Sequence, residues 1–440
     1  MNSPVSYEIV DSIGVITVDN PPVNALSQAV RQGILDAIRT AQDDASEAVV
    51  LLCAGRTFIA GADITEFGTP PLEPHLPDLL NEIEASNKIV VAAIHGTALG
   101  GGFETAIASH YRIALDSAKV GMPEVKLGLF PGAGGTQRLP RLIGVAAAVD
   151  LMANGNPVGA ARAAELGAID QVVTGDLRDE ALAFTKQLLA DGEAVRPTRE
   201  LAIDSVHDAT LDEIEKQVRK RARGQVAPIS MLEAVKGALR LPFDEGLANE
   251  RALFWELMQG SQARALQHIF FAEREAARIK GLQKDTPQRE VKSVGIIGGG
   301  TMGGGIAMSF ANAGFQVTML EINDEALQRG LSIIDKNYGG SVKRGKLSEE
   351  KARACREQIS GTTDYAALAD CDLVIEAVFE DPELKKEIFA KLDATCRTGA
   401  ILATNTSYQD VDAIAAATER PEDVLGMHFF SPAHIMKLLE

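Results

Sequence analysis

An apolar run enters a glycine-spaced turn at Val291-Lys-Ser-Val-Gly-Ile-Ile-Gly298-Gly-Gly300-Thr-Met-Gly303, and a helical stretch, Gly304 to Ala313, follows directly. A G-x-G-x-x-G turn between a strand and a helix leaves few folds open, because the helix must pack back on the strand as the first half of a βαβ unit. A second strand, Phe315 to Leu320, ends at Glu321, twenty-three residues after Gly298. Each part has a physical job. Gly298 permits the tight turn, Gly300 lets the backbone approach a pyrophosphate, and Gly303 lets helix and strand pack closely. The free N–H groups of the helix N-terminus face the phosphates. A carboxylate at Glu321 accepts hydrogen bonds from ribose hydroxyls and repels a 2′-phosphate, which favours NAD over NADP. The competing reading is a glycine turn that serves packing alone.

Further along, Asp372 to Val378 reads as a buried strand and Ile401 to Ser407 as a strand ending in polar residues. Ligands of open α/β sheets bind at the carboxyl ends of parallel strands. The run Gly426-Met-His428-Phe-Phe-Ser-Pro-Ala-His434-Ile-Met-Lys-Leu-Leu-Glu440 closes the chain. A histidine titrates near neutrality and can take the proton of an alcohol that is losing hydride. A lone histidine in an apolar strand serves packing equally well, and His434 is best read that way.

The set GIIGGGTMGGGIA, EAVFED, NTS and GMHFFSPAHIMKLLE resembles the NAD-binding domain of L-3-hydroxyacyl-CoA dehydrogenases. The resemblance implies that His428 is the catalytic base, paired with Glu440 twelve residues on, and that Ser407 binds substrate or cofactor. Ser431 stands where that family has asparagine after the HFF motif. The family's helical substrate domain would follow Glu440. The expectation is therefore a truncated chain with a disordered His428–Glu440 pair and dehydrogenation weak or absent.

The first 190 residues alternate β-branched runs (Val15–Val18, Ala48–Leu52, Ile89–Ile94) with Ala-rich helical stretches such as Ala25 to Ala41. That is the pattern of an α/β layer architecture. Two glycine turns stand out: Phe58-Ile-Ala-Gly61-Ala62-Asp63-Ile64, and Gly96-Thr-Ala-Leu-Gly100-Gly101-Gly102-Phe-Glu104 leading into a helix. Two such turns can aim two backbone N–H donors at one oxygen, the arrangement of an oxyanion hole. Close helix packing explains the same glycines. Glu104 and Glu124 flank glycine-rich turns and apolar strands, where carboxyl pKa values shift and acid–base work is done.

FIAGADI, HGTALGGGFE, GMPEVKLGLFPGAGGTQRLPRLIG and ARAAELGAIDQVV, from Phe58 to Val173, resemble the crotonase (enoyl-CoA hydratase) superfamily in content and order. The resemblance implies a spiral of ββα repeats, with the Ala62 and Gly101 N–H groups on the thioester oxygen of a coenzyme A substrate. It also implies Glu104 and Glu124 as two catalytic carboxylates sharing one water, for hydration of a trans-2-enoyl-CoA. Glu104 would activate the water and Glu124 would protonate C2; a Δ3 to Δ2 double-bond shift would use Glu124 as proton carrier.

From about 196 to 290 strand signals vanish and charged helical segments follow one another: Thr210 to Arg223, Ser230 to Arg240, and a long amphipathic stretch from Glu245 to Ile279. This reads as a helical linker, ending in the polar Lys280–Glu290. The organisation expected is a crotonase domain over 1–195, a linker over 196–290, and a Rossmann-type doubly wound domain over 291–440. A crotonase half, a linker helix and a dehydrogenase nucleotide domain in that order resemble the multifunctional enzymes of fatty-acid β-oxidation, both the bacterial α-subunits and the peroxisomal type 1. The acyl-CoA substrates and a thiolase partner are implied by that resemblance alone. Rival readings are a hydratase/isomerase whose nucleotide domain is not catalytic, and a non-enzymatic acyl-CoA and NAD binding module.

Composition closes off other classes. The 440 residues carry 43 Lys+Arg against 61 Asp+Glu, a net charge of −18, which repels nucleic acid and anionic lipid. The one dense basic run, Lys216 to Arg223, reads as a solvated helix face. Four scattered cysteines give neither a disulfide framework nor a metal-ligand spacing and fit a reducing compartment. No apolar stretch reaches the ~18 residues of a membrane span. The start MNSPVSYEIVD shows no basic-then-apolar leader, so the expectation is a cytoplasmic (bacterial) or peroxisomal protein that is not secreted.

Overall fold

The computed structural model describes residues 3–66, 72–276, 278–283, 285–436 and 438–440. Ala277 and Lys284 of the expected linker, and Lys437 of the C-terminal motif, lie outside the described residues. The chain divides into two compact units, Met1–Lys280 and Gly281–Glu440.

The first unit contains β1 (Val5–Val10), β2 (Ile13–Val18), β3 (Ala48–Cys53), β4 (Ile89–Ile94), β5 (Thr97–Leu99), β6 (Tyr111–Leu115), β7 (Lys119–Gly121), β8 (Val158–Gly159) and β9 (Gln171–Val173). Its main sheet has the order β1-β2-β3-β4-β6-β9, parallel except for the β1–β2 pair. A smaller sheet, β5-β7-β8, lies beyond the ends of the main strands in sequence, so that β4–β5 and β6–β7 each turn from one sheet to the other. Every residue of β3 (AVVLLC) is buried, as expected of a parallel strand covered on both faces. The side-chain alternation of the strand sorts Val49 and Leu51 into one core and Ala48, Val50 and Leu52 into the other. Helix α1 (Gln28–Asp43) buries Val30, Ile34, Ile38 and Ala41, spaced at helical intervals, in the first core.

Helices α2 (Leu76–Glu84), α3 (Gly101–Ala108), α4 (Gly135–Ile143) and α5 (Val145–Asn154) join the same core, with α6 (Ala160–Leu166) at its margin. Helix α7 (Leu177–Ala190) covers the opposite core through Ala181 and Leu188; its N-cap Asp176 accepts from the Asp179 N–H.

The segment read as a linker folds as α8 (Asp208–Ala222), α9 (Ala227–Arg240), α10 (Phe243–Met258) and α11 (Ser261–Ala276). Leu211, Val218, Met231, Leu232, Val235, Leu257 and Ala263 from these helices sit in the first unit's main core. The division between units falls after Lys280 rather than at 195 or 290. The apolar stripes that look like a connector's coat are thus core-facing. The long helix expected from Glu245 to Ile279 is two helices, interrupted at Gln259 and Gly260, whose N–H groups donate back to the Trp255 and Leu257 carbonyls. The basic run on α8 is exposed, and Arg219, Arg221 and Lys216 ion-pair with Glu215, Asp150 and Glu213.

The second unit is built on β10 (Ser293–Ile297), β11 (Gln316–Leu320), β12 (Ile359–Thr362), β13 (Leu373–Glu376), β14 (Ile401–Thr404) and β15 (Val424–Gly426). The strands are all parallel in the order β12-β11-β10-β13-β14-β15. Numbered within the unit this is 3-2-1-4-5-6, the doubly wound dinucleotide-binding order, with its switch point between β10 and β13. Helices α12 (Thr301–Asn312), α13 (Asp324–Lys343), α14 (Glu349–Glu357), α15 (Pro382–Thr395) and α16 (Val411–Ala415) cover the two faces. Val294, Ile296 and Ile375 pack into one core with Ile306 and Ile334, and Ile297 and Val374 into the other with Phe389 and Leu392. Both units are α/β, the first with a crotonase-type pair of sheets and the second Rossmann-like.

Candidate functional sites

In the first unit the two glycine turns meet. A Cβ on Gly101 would lie 3.5 Å from the Ala62 nitrogen and 2.8 Å from Leu76 Cδ2, so the two turns approach closely and a side chain here would displace Leu76. Gly101 is the first residue of α3 and has no earlier helical carbonyl to bond. Ala62 is held in place by a parallel bridge to Leu26, whose N–H donates to the Gly61 carbonyl at 2.9 Å. Neither the Ala62 nor the Gly101 N–H donates to a protein acceptor among the described residues. Two unused donors therefore lie side by side.

Glu104, one turn into α3, is 3% exposed, and its Oε1 accepts from the Ala133 and Gly135 N–H groups, both at 2.8 Å. Glu124 opens the 3-10 turn Glu124–Leu127. Its Oε1 would stand 2.7 Å from a Cβ placed on Gly100, and its buried Oε2 has no hydrogen-bond partner among the described residues. Glu124 thus lies against the turn that carries Gly101, close enough to Glu104 to feel its charge.

Burial raises the Glu104 pKa, while the two N–H donors and the Arg138 guanidinium work against that rise. Burial and then the charge of Glu104 push Glu124 well above the carboxylate range. Both carboxyls are raised, Glu124 the further, and that inequality suits Glu104 to the base and Glu124 to the acid role.

A third carboxyl was not visible as a site residue in the sequence. Glu250, on α10, is 1% exposed and accepts from the Gly134 N–H at 2.7 Å and the Thr136 N–H at 3.1 Å, and from the Thr136 hydroxyl. Burial, then the charge of Glu104, raise its pKa to about 8. A signal did exist: Glu250 occupies the middle of the stripe formed by Gly246, Leu247, Leu253, Phe254 and Leu257, where an apolar residue is expected.

In the second unit the glycine turn has the shape that the spacing predicts. Gly298 has φ +97°, open to glycine at little cost. A Cβ on Gly303 would lie 1.8 Å from the Gly298 carbonyl oxygen, whereas one on Gly300 meets nothing within 4 Å. The open space at Gly300 lies at the start of α12, and Glu321 reaches the same turn, where its Oε1 accepts from the Gly299 N–H at 2.6 Å. The donor set fits a dinucleotide: an uncovered turn, the free N–H groups of the first turn of α12, and a carboxylate at the end of the second strand.

Ser407 and His428 follow the carboxyl ends of β14 and β15. His428 Nε2 lies 3.1 Å from Ser407 Oγ, and its Nδ1 lies 3.0 Å from Glu440 Oε2. The expected disorder of this pair is not what the structure shows. The His428 N–H donates to the Glu440 carbonyl at 2.9 Å and the Glu440 N–H to the His428 carbonyl at 3.0 Å, with a bridge between Phe429 and Leu439. Backbone pairing places the terminal carboxylate.

Beneath Ser407 lies a network to which the sequence assigns no role, although Glu376 and Glu380 are the two glutamates of EAVFED. Glu380 accepts from the Ser407 N–H at 3.1 Å and from the Thr406 hydroxyl, and lies 3.2 Å from Lys385 Nζ. Lys385 is buried against Glu376, with Nζ 2.8 Å from Oε1.

All four cysteines are buried and free. Among the described residues no cluster of His, Cys, Asp or Glu is suited to a metal, and no helix is long and apolar enough to cross a membrane.

Residues 8–247, more than half of the chain, match the family described as enoyl-CoA hydratase/isomerase. Residues 293–440 match the 3-hydroxyacyl-CoA dehydrogenase, NAD binding domain. The peroxisomal bifunctional enzyme of Danio rerio is 45% identical over 445 residues, which cover 99% of this chain and 61% of that protein. The Homo sapiens peroxisomal bifunctional enzyme is 40% identical over 448 residues, covering 98% and 60%. The Arabidopsis thaliana peroxisomal fatty acid beta-oxidation multifunctional protein is 36% identical over 446 residues, covering 98% and 62%. The chain spans about three fifths of the length of these curated relatives. It belongs to the enoyl-CoA hydratase/isomerase family, and its second unit is a 3-hydroxyacyl-CoA dehydrogenase NAD-binding domain.

Proposed function

We propose that the first unit hydrates trans-2-enoyl-CoA to L-3-hydroxyacyl-CoA and that the second binds NAD for oxidation of that product, two successive reactions of fatty-acid β-oxidation. The support comes above all from one observation: Glu124, with its unpartnered Oε2, lies against Gly100 in the turn that carries the unused Gly101 donor, and the charge of the buried Glu104 acts on it.

Glu104, favoured as the carboxylate by its two N–H bonds and Arg138, takes a proton from water as the water oxygen bonds to C3. The electrons of the C2–C3 double bond shift to the thioester oxygen, where the Ala62 and Gly101 N–H groups hold the negative charge. Glu124, kept protonated by burial and by Glu104, delivers its proton to C2 as the enolate collapses. The charge has then moved from Glu104 to Glu124, and proton exchange between the two resets the site. A Δ3 to Δ2 isomerisation would use Glu124 alone as the proton carrier, since its Oε2 has no protein partner.

In the second unit the turn of Gly298, Gly300 and Gly303 would hold the pyrophosphate of NAD and Glu321 its ribose, and the cofactor would supply the acceptor for the hydride from C3. His428 Nε2 takes the hydroxyl proton with Ser407 orienting that hydroxyl, and Glu440 on Nδ1 steadies the resulting cation. The product is a 3-ketoacyl-CoA, the substrate class of thiolysis, and on that ground a thiolase is the proposed partner. The relatives' names supply the proposed residence in peroxisomes, in preference to a bacterial cytoplasm.

The decisive experiment follows the enoyl-thioester absorbance of crotonyl-CoA without NAD. Loss of absorbance that Glu124→Gln abolishes supports the hydratase. No loss, in a folded sample that still binds CoA, would refute it and leave the binding-module reading. L-3-Hydroxybutyryl-CoA with NAD then tests the second unit by NADH formation. Its absence from a sample that binds NAD would favour the non-catalytic nucleotide domain.

A further inference from the structure

The turn Ala133-Gly134-Gly135-Thr136 is gripped by two carboxylates in alternation. The first and third N–H groups go to Glu104, and the second and fourth go to Glu250. Successive backbone N–H groups that point to opposite sides cannot be turned independently, because peptide planes share their Cα atoms. The position of one carboxylate therefore sets the donors of the other.

Helix α10 is seated closely enough to enforce this. A Cβ on Gly246 would come 2.3 Å from Gln137 Oε1, one on Gly132 would come 2.4 Å from the Phe254 ring, and one on Gly134 would come 3.2 Å from Leu247. Phe254 also packs edge-on against Phe130, with ring centroids 6.0 Å apart. The helix that reads as a linker is thus the roof over the turn that holds Glu104.

We infer that Glu250 is a positioning residue for the hydration chemistry: it fixes the turn 133–136 so that the Ala133 and Gly135 N–H groups aim at Glu104 Oε1. The inference rests on the hydratase reading for its kinetic consequence, while the geometric claim about Glu104 stands apart from turnover. Glu250 does not face the Ala62 and Gly101 donors through any hydrogen bond described, so it acts on the rate through Glu104 and leaves substrate binding alone. The charged and titratable groups around it are Glu104 on α3, Glu124 on the 3-10 turn and Arg138 on α4, the last paired with Glu84 on α2. Glu250→Ala removes both acceptors and frees the turn. Glu250→Gln keeps an acceptor for Gly134 and offers an amide donor to the Thr136 hydroxyl, at the cost of the Thr136 N–H bond.

The test measures crotonyl-CoA hydration against pH for the full chain and both variants, with melting temperature alongside. Glu250→Ala should lower kcat at least tenfold with KM changed less than threefold, and Glu250→Gln should recover most of the loss at neutral pH. An alanine variant with wild-type kcat, or a glutamine variant that melts normally and is no better than alanine, would overturn the inference. If the alanine variant does not fold, Glu250→Gln decides by its pH profile: an unmoved profile with wild-type kcat overturns it, and a displaced limb supports it.

If the wild-type chain hydrates nothing, the hydratase reading has failed and the inference is judged separately. The carboxyl infrared band lost in Glu104→Gln reports Glu104 directly. That band should titrate at higher pH in Glu250→Ala than in Glu250→Gln, because loosened N–H donors favour the charged form less. Equal titration in the two variants would refute the positioning role.

Discussion

Two glycines three residues apart in the second unit should respond oppositely to the same added methyl group. Gly303→Ala places a Cβ 1.8 Å from the Gly298 carbonyl oxygen and 3.3 Å from Ile296 Cγ2. Cβ contacts essentially never fall below 3.0 Å, so the turn and the start of α12 must separate by more than an ångström. Both partners are backbone or buried, and no flexible side chain can yield. The cost is at or above the ~1–3 kcal/mol of ordinary overpacking, and it falls on the crossing that shapes the phosphate turn.

Gly300→Ala meets nothing within 4 Å, and its φ of −68° is ordinary for any residue. Without ligand the variant should be as stable as wild type or gain up to ~1 kcal/mol, because alanine restricts the unfolded chain. The space it fills is the one assigned to the pyrophosphate. NAD affinity should therefore fall at least tenfold, about 1.4 kcal/mol. Calorimetric titration with NAD gives the affinity, and thermal melts with and without NAD give the stability. Wild type at saturating NAD, about a hundred times Kd, should gain ~2.7 kcal/mol, and at the same NAD concentration Gly300→Ala should lose about half of that gain or more. Wild-type NAD affinity in Gly300→Ala would refute the placement of the dinucleotide, and an unchanged melt in Gly303→Ala would refute the packing argument.

Other perturbations follow from the same contacts. Glu104→Gln and Glu124→Gln should each lower crotonyl-CoA hydration by ~10²–10⁴ with little change in KM, measured by initial rates. The buried pair of Arg138 and Glu84, 2.7 Å apart with both side chains 1% exposed, also carries Arg199; Glu84→Ala should cost about 3–5 kcal/mol in urea unfolding because it leaves Arg138 buried and unpaired. The Glu250 pKa is raised from 4.5 to about 8 in the folded state, so the folded chain keeps a proton that the unfolded chain releases. The stability that Glu250 contributes is complete below the unfolded pKa and is lost as pH rises towards 8, at up to ~1.4 kcal/mol per unit. Glu250→Gln should flatten the fall in stability between about pH 4.5 and 8, seen as a converging difference in urea midpoints. Glu440→Gln should reduce NADH formation from L-3-hydroxybutyryl-CoA without altering NAD affinity by titration.

Local signals carried much of the fold. Ala48-Val-Val-Leu-Leu reads as a buried strand because a short apolar run with adjacent β-branched residues suits a doubly covered parallel strand, and it is one. The spacing of Gly298, Gly300 and Gly303 requires a strand, a turn and a helix, and all three are present. The helices from 208 to 276 were harder. A stripe of apolar residues at helical spacing says that a face is covered but not by what, and the covering surface here is a core assembled from elements far earlier in the chain. Glu104 and Glu124 stood out beside glycine turns, whereas Glu250 sits among the charges of Glu245, Arg251 and Glu256 and looks like another solvated residue. Its distinction is its phase in the stripe. The Glu376–Lys385–Glu380 chain beneath Ser407 was hidden for a related reason, since its members come from different elements and meet only across the sheet end.

The two units meet one problem, a negative charge beside a glycine-rich helix start, with opposite allocations of their N–H groups. At the start of α4 the turn spends its donors on the chain's own Glu104 and Glu250, so those carboxyls are fixed before any substrate arrives. At Gly101 and at Gly300 the donors or the space around them stay open. A donor already satisfied cannot stabilise charge that develops later, and an open donor cannot orient a base. The proposed division of labour follows: the turn 133–136 would orient the proton-transfer groups, and the starts of α3 and α12 would receive the charge that a ligand brings. Burial and then the charge of Glu104 raise both Glu124 and Glu250, whereas the rise at Glu104 is opposed by the Ala133 and Gly135 N–H groups and by Arg138. On the proposed mechanism, the proton that Glu124 would deliver is held by the same electrostatics that make Glu104 the better base.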